Sequence, residues 1–401
     1  MKKLGVFVIA LSIAAGTLAQ SQSEGRNSFF SRMAEKGILN HMDVGVNVGT
    51  LGIGIDVAMP VGDYVRVRAG YNYMPRFTIN SDFNIETSNG GSIQKFFDKK
   101  DRINYYLNQY EIDLDQPEFK IYKDALEQIN EVELKDHVTM GLKPNIHQFK
   151  FLVDVLPFKN NKHWSFTAGF FVGPSHVGDA CNHEDETRLL QFVNAYNTFY
   201  TEYLGSGRNL AGHGEITKLT EIFTENGMAG FSLGKFEDGD LAMMRPGEDG
   251  RVRAEMRVNK FRPYLGFGYN THLSKDKKWN LNVDAGILFL CGAPSVYVDN
   301  VYKIDKRWSA DAWETKEEWE AWKNEQLDPY VENYDIVRYN DNYDYSNPDA
   351  QPMYLVDEPL NHVDMVHDLH DIHGKVGNMV NTISKFKVYP NASVTFSYRL
   401  F

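Results

Sequence analysis

The sequence is poor in cysteine and in positive charge. Only Cys181 and Cys291 occur among its 401 residues, and two thiols cannot form the disulfide framework that holds small secreted folds together. Either they form one bridge or they are two free thiols, and the sequence leaves both open. The formal net charge of -12 argues against the basic surface that nucleic-acid binding requires. We therefore expect no nucleic-acid partner.

Long apolar runs are also missing after residue 20, which excludes a helical membrane span of about 18 residues or more. The start of the chain, MKKLGVFVIALSIAAGTLAQ, is different. Lys2 and Lys3 precede an apolar run that ends at a small-residue cleavage site, as in a secretory signal peptide. We predict a signal peptide over 1–19 and an N-terminal periplasmic segment over 20–40, with a buried N-terminal helix as the alternative.

Alternating strands are what the sequence does contain. In YVRVRAGYNYMP (64–75) apolar and polar side chains alternate strictly, which is typical of a β-strand with one apolar face. HWSFTAGFFVGP (163–174) and KWNLNVDAGILFLCGAP (278–294) repeat this plan, and a short turn and another alternating strand precede each of the three. A repeated hairpin is stronger evidence than a single strand.

The spacing of the strands predicts the architecture. A strand over 42–49 and a last one over 392–401 bring the count to about eight, with a tight turn or a long bulged strand at Gly49-Thr50. Three connections are long, over about 76–143, 175–259 and 294–383, and the others are short. Short turns at one end and long loops at the other are typical of outer-membrane barrels. We predict an all-β fold: an antiparallel transmembrane β-barrel over 41–401, whose three long extracellular loops contain short helices.

In such a barrel the apolar face meets lipid and the polar face lines the lumen. Gly70, Gly169 and Gly286 share the inward parity and leave room there for long basic side chains. An eight-stranded barrel is narrow enough to be filled by side chains, and buried charges need partners. We predict a plugged ionic lumen, with a narrow channel for small solutes as the alternative. Its charge network comprises Asp43, Asp56, Arg66, Arg68, Lys150, Asp154, Asp284 and Arg399.

Aromatic residues stand at both ends of the predicted strands, as in the interfacial belts of membrane barrels. Those at the turn ends are Tyr64, Trp164, Trp279 and Tyr398, and those at the loop ends are Tyr71, Tyr73, Phe170 and Phe289. A soluble sandwich also buries aromatic residues, so this feature supports the barrel only mildly.

These hairpins, the HMDVGVNVGTLGIGIDVAMPVGDYVRVRAGYNYMP run and the terminal YPNASVTFSYRLF resemble small eight-stranded outer-membrane barrels of Gram-negative bacteria, of the OmpA-like type. The resemblance implies an outer-membrane location, with outer-membrane lipid and lipopolysaccharide around the barrel. It also implies recognition by the barrel assembly machinery, through an assembly signal formed by Phe396, Tyr398 and Phe401.

The long loops are rich in aromatic residues, which argues against disorder. Helical patterns over 117–134, 182–207 and 309–327 predict three helices that form a cap above the barrel. Exposed tryptophans could bind a glycan or a protein partner, and the alternative is that they form the core of their loop. The four candidates are Trp308, Trp313, Trp319 and Trp322.

Histidines cluster in NHVDMVHDLHDIHGK (361–375). His362, His367, His370 and His373 are candidate Zn2+ or Cu2+ ligands, and a solvated acidic helix is the alternative that we favour. Asp341, Asn342 and Asp344 could supply oxygen ligands for Ca2+, but their spacing does not match an EF-hand loop. We therefore expect no cofactor and no metal.

The sequence also lacks the residue spacing of a recognisable catalytic motif. His147 and His183 lie near predicted strand ends, but no G-x-S-x-G occurs and no spacing singles out a triad. We predict a non-enzymatic outer-membrane protein whose surface loops bind a ligand or maintain the envelope. The alternatives are a small-solute channel and an enzyme at the barrel rim.

Overall fold

The computed structural model describes residues 41–88, 92–94, 135–206, 227–304, 306–308, 313–326, 338–339, 354–355 and 359–400. Several predictions concern other parts of the chain. The signal peptide, the segment 20–40, the helix over 117–134, the candidate Ca2+ ligands and Phe401 all lie outside the described residues.

Eight antiparallel strands close into a barrel, and the first strand pairs with the last. This confirms the predicted fold class. All strands are numbered in chain order, and those of the barrel are β1 (Asp43–Gly49), β2 (Gly52–Pro60), β3 (Val65–Tyr73), β7 (His147–Val155), β8 (Trp164–Val172), β13 (Phe261–His272), β14 (Trp279–Phe289) and β20 (Val388–Arg399).

Alternation of side chains explains why these segments are strands. In β7, HQFKFLVDV, the even-numbered Gln148, Lys150, Leu152 and Asp154 are buried, while Phe149 and its odd-numbered neighbours are more exposed. Three turns connect barrel strands at one end, over 61–64, 156–163 and 273–278. At the other end, β1 and β2 meet in a two-residue turn and the three long connections begin.

The long connections build a cap above the barrel that contains both β-sheets and helices. Its larger sheet has the order β4-β6-β9-β12-β15-β19, with β4 (Ile79–Asn84), β6 (His137–Pro144), β9 (His176–Asn182), β12 (Arg253–Arg257), β15 (Ser295–Val298) and β19 (Val363–Asp364). This order follows the barrel order β3-β7-β8-β13-β14-β20, because five of the six cap strands join their barrel strands through a few residues. The cap sheet is thus an upward extension of the barrel wall.

A second sheet, a two-stranded β-ribbon and three α-helices complete the described part of the cap. The second sheet has the order β16-β11-β10-β5, and the ribbon pairs β17 with β18. The remaining elements are β5 (Glu86–Thr87), β10 (Ala229–Lys235), β11 (Leu241–Met244), β16 (Val301–Ile304), β17 (Arg338–Tyr339), β18 (Tyr354–Leu355), α1 (Thr187–Ser206), α2 (Lys316–Gln326), α3 (Gly374–Lys385) and the 3-10 helices Glu184–Glu186 and Lys306–Trp308. No helix in the described ranges is long and apolar enough to cross a bilayer.

The conventional hydrophobic core of the molecule lies in this cap. Leu189, Leu190, Phe192, Val193 and Tyr196 form a buried stripe on α1. They pack with buried residues of both cap sheets and with α3. The cap is therefore a folded unit with its own core, because it buries the apolar faces of its elements against one another.

One expectation about the cap is incomplete and one is wrong. α1 and α2 lie within the predicted helical ranges 182–207 and 309–327, but the long connections also contain short strands paired across distant parts of the chain, which were not predicted. Residues 361–373, where a helix was favoured, are not helical, and α3 begins only at Gly374. His362 and Asp371 have φ values of 64° and 52°, which a right-handed helix cannot contain.

Candidate functional site: the barrel interior and the cap cleft

The barrel is polar inside and apolar outside. Asn47 and Asp154 have no exposed surface, whereas Val48 and Phe166 on the outer face are 59% and 63% exposed. A water-soluble sheet has the opposite arrangement. An apolar face that surrounds the whole barrel needs an apolar environment.

Aromatic pairs form at both ends of this outer face. At the turn end, the rings of Trp279 and Tyr398 lie 5.0 Å apart, as do those of Trp164 and Tyr269. At the cap end, the ring centroids of Phe170 and Phe261 are 5.2 Å apart. Phe396, 55% exposed, also faces outward above Tyr398.

One group of inward charges, the arginine cluster, contains Arg66, Arg68, Asp154 and Asp284. Arg66 Nε and Arg68 Nη2 each lie 2.8 Å from a different oxygen of Asp154. Arg68 Nη1 lies 2.7 Å from Asp284 Oδ2. Asp154 also accepts a hydrogen bond of 2.8 Å from Thr167 Oγ1. Each carboxylate therefore has a cationic partner, as burial requires.

A second group, the lysine cluster, contains Lys150, Asp56, Asn47 and Asn72. Lys150 Nζ lies 2.8 Å from Asp56 Oδ1, and that oxygen also accepts from Asn47 Nδ2 at 3.1 Å. Asn72 Nδ2 donates to Asn47 Oδ1 at 3.0 Å. A Cβ on Gly70 would lie 2.2 Å from Asp56 Oδ1, so only glycine leaves room for this contact.

The remaining two predicted lumen charges lie near the turn end. Arg399 Nε donates to Asp43 Oδ1 at 3.2 Å, and His41 Nε2 lies 3.7 Å from Asp43 Oδ2. The structure therefore brings all eight predicted lumen charges into three groups, each with both signs of charge.

An apolar layer inside the barrel was missed in the sequence. Leu51, Leu152, Phe171, Tyr264 and Leu288 pack together near the cap end. Leu152 is an even-numbered residue of β7, like the inward-facing Lys150 and Asp154, so the alternation of this strand could have identified it as an inward residue. Two of the three inward glycines also differ from expectation. A Cβ on Gly286 would lie 2.5 Å from Tyr264 Oη, and one on Gly169 would meet Phe151 O and Leu152. Neither makes room for a basic side chain.

Arg262 is a further lumen residue that the sequence analysis missed, although it has the parity of Tyr264. The residue is 3% exposed and lies at the cap end of β13. It donates to Gln148 Oε1 at 2.7 Å, to Asn259 O at 2.7 Å and to Pro174 O at 2.6 Å. Arg262 thus ties the barrel interior to two of the links between barrel and cap.

The tryptophan candidates pack together at one side of the cap. Trp319 is buried, and the ring centroids of Trp313 and Trp322 are 5.5 Å apart. Trp313 Nε1 donates to Arg307 O at 2.8 Å. The Trp308 side chain lies outside the described part of the structure. This arrangement matches the alternative in which the tryptophans form the core of their loop.

The histidine segment lines a cleft of about 840 Å3 in the cap. His367 and His370 face it, and His367 Nδ1 lies 2.8 Å from Asp364 Oδ2. His373 precedes α3 and is not part of the lining. Within the described residues, no three His, Cys, Asp or Glu side chains are arranged to hold a metal ion. The other lining residues are Phe236, Glu237, Asp238, Lys303 and Asp368.

The cleft is acidic, and its one lysine is already paired. Lys303 forms ion pairs with Asp238 and Asp240. Its hydrogen bond with Asp238 lowers the pKa of that carboxyl and raises the pKa of Lys303. Asp238 and Glu237 are exposed, so the cleft wall carries negative charge at neutral pH.

Neither thiol is bridged, and the candidate rim histidines form no triad. Cys181 and Cys291 are both free. His183 Nε2 lies 3.0 Å from Asn80 Oδ1, and His147 pairs with Tyr73 in the barrel ladder. Neither contact supplies the base and orienting carboxylate of a nucleophilic site.

No protein-family model matches this chain, and no curated protein matches its sequence. Crystal structures of two Acinetobacter baumannii proteins resemble it. CarO2 is 11% identical, with a TM-score of 0.34, over 90% of this chain and 99% of that chain. CarO is 11% identical, with a TM-score of 0.33, over 89% of this chain and 96% of that chain. At these TM-scores the likeness carries no argument, and the function must be argued from the residues of this chain.

Proposed function

We propose that this protein is an integral outer-membrane β-barrel that does not conduct solutes and presents a folded cap at the cell surface. The supporting observation is the inverted barrel: charged residues are enclosed while valine, leucine and phenylalanine cover the outside. Only closed barrels and helices satisfy all their backbone hydrogen bonds in lipid. The OmpA-like type and export by the segment 1–19 belong to the same proposal.

The sealed lumen follows from what fills the barrel. Both charge clusters, the apolar layer and Arg262 occupy successive levels between the two ends. One cavity among the described barrel side chains, near the turn end, has a volume of about 20 Å3, which is space for about one water.

The cap carries the binding role in this proposal. It has its own hydrophobic core and an open acidic cleft, so it is rigid enough to present a ligand site. Outer-membrane lipid and lipopolysaccharide surround the barrel, the barrel assembly machinery inserts it, and a glycan or protein ligand binds the cap. We propose no catalytic role and no cofactor.

Planar-bilayer recording of the purified full-length protein tests the sealed lumen. We expect no steady conductance steps at any protein concentration that gives insertion. Regular steps of one size would show a small-solute channel, the second candidate function. Insertion itself is checked separately by protease protection of the barrel in the same lipid.

A further inference from the structure

The arginine cluster and the lysine cluster lie next to each other in the barrel, yet no hydrogen bond or ion pair joins them among the described residues. Asp56 contacts Lys150 and Asn47, and Arg68 contacts Asp154, Asp284 and Thr167. Asp56 and Arg68 nevertheless line the same small cavity, near the turn end of the barrel.

Three residues that line this cavity each carry one buried side-chain atom with no hydrogen-bond partner in the described structure: Asp56 Oδ2, Arg68 Nε and Thr395 Oγ1. Their residues are 4%, 4% and 5% exposed, so bulk water does not solvate them. Leaving a buried polar atom unsatisfied costs about 1–3 kcal/mol, and more for a charged group. Since all three residues line one cavity, one small partner within it is the simplest way to satisfy all three atoms.

The chemistry of the three atoms selects the partner. Asp56 Oδ2 only accepts, Arg68 Nε–H only donates, and the Thr395 hydroxyl does either. An anion would be repelled by Asp56, and a cation by Arg68. A water molecule accepts from Arg68 Nε and donates to the other two atoms. The cavity volume of about 20 Å3 exceeds the roughly 10–15 Å3 that one water needs.

We propose that this cavity is an internal water site, and that its water bridges Asp56 to Arg68. The two charge clusters then form one connected network across the barrel. Thr395 is a positioning residue, because its hydroxyl supplies the third hydrogen bond. The proposal concerns a bound molecule inside the barrel, so it stands or falls independently of whether the lumen conducts.

A crystal structure of the wild-type protein in detergent or lipid provides the first test. We expect one ordered solvent peak within hydrogen-bond distance of all three atoms. In solution, a water cross-peak to the Arg68 Nε–H proton should report a long-lived water. A direct Arg68 Nε to Asp56 Oδ2 bond, or an empty cavity in well-ordered density, would overturn the proposal.

Two matched variants provide the second test. Thr395→Val removes a hydroxyl at the cavity and fills part of it, and we expect loss of both the solvent peak and the cross-peak. Thr167→Val removes another buried lumen hydroxyl, which bonds Asp154 directly and does not line the cavity, and both signals should remain. The assigned site would be contradicted if the solvent peak and the cross-peak remain in Thr395→Val. It would also be contradicted if both signals are lost in both variants. If Thr395→Val does not fold, the wild-type measurements decide alone.

Discussion

Arg68 and Asp284 form a bidentate ion pair that spans the interior of the barrel. Arg68 Nη1 lies 2.7 Å from Asp284 Oδ2, and Nη2 lies 2.9 Å from Oδ1. Their strands, β3 and β14, are four positions apart in the closed order of eight, which places them on opposite walls. Since both residues are buried, this pair joins the two sides of the barrel at a point that solvent does not reach.

Loss of Arg68 should be costly. Arg68→Met leaves Asp284 without its cation and weakens the pairing of Asp154, and breaking a buried pair costs about 3–5 kcal/mol. Urea unfolding of the protein in lipid vesicles measures the change. Arg253→Met is the matched control, because it removes an exposed pair with Asp249, worth about 0–1 kcal/mol. Equal effects of the two variants would contradict the buried network.

Conductance should respond to the same cluster. The double variant Arg66→Ala with Arg68→Ala removes two long side chains from the level that contains Asp154, and uncompensated carboxylates attract water and cations. We expect small cation-selective steps in planar bilayers where the wild type shows none. If the double variant inserts and remains silent, the arginine cluster is not what closes the lumen.

Gly70 should tolerate no larger side chain. In Gly70→Ala the new Cβ would lie 2.2 Å from Asp56 Oδ1 and 2.8 Å from Lys150 Cε. Overpacking of this kind costs about 1–3 kcal/mol, and displacement of the Lys150–Asp56 pair adds to it. Gly178→Ala is the control, since its nearest neighbour would be 3.4 Å away. Unfolding midpoints should fall for the first variant and stay unchanged for the second.

Glu86 should make the cap less stable as pH rises. Burial raises the pKa of Glu86, and the nearby charge of His373 lowers it less. Because the folded-state pKa of Glu86 lies above its unfolded-state pKa, protonated Glu86 stabilises the folded cap. This contribution is complete below the unfolded-state pKa and is lost as pH rises through the folded-state pKa. As pH rises above about 4, the pKa of an unperturbed glutamate, the wild type should therefore lose stability relative to Glu86→Gln. Cap unfolding is followed by tryptophan fluorescence, to which buried Trp319 contributes, with exposed Glu237→Gln as control. If the difference in stability between wild type and Glu86→Gln does not change with pH, Glu86 does not have a raised pKa in the folded cap.

The barrel strands could be predicted from the sequence because the alternation of side chains along a strand is a local pattern. In β3, each residue has the opposite orientation from the next, so Val65 to Tyr73 fix both faces of the strand without knowledge of its partner. The same parity placed Arg66 and Arg68 inside. Arg262 and the apolar layer follow the same alternation, but Arg262 is only the second residue of its strand and the layer carries no charge, so neither stood out among the inward charged residues.

The cap sheets could not be read in this way. Their strands are short, and Asn80, Gly141, Cys181 and Arg253 pair in one row although about 170 residues separate the first from the last. No local pattern encodes such pairings, since they depend on the barrel that brings the strand ends together. The error at 361–375 has a different cause. The segment was interpreted from histidine spacing, whereas the positive φ at His362 and Asp371 depends on its tertiary setting.

The central claim, that the outer face of the barrel meets lipid, is tested most directly by spin labelling. In a Cys181→Ser, Cys291→Ser background, nitroxides are attached at Phe267→Cys on the outer face and at Lys278→Cys in an end turn. In lipid vesicles we predict that oxygen relaxes the label at 267 and a water-soluble nickel chelate does not, with the reverse at 278. If the nickel chelate relaxes the label at 267 as strongly as at 278, that face is in water and the account is wrong.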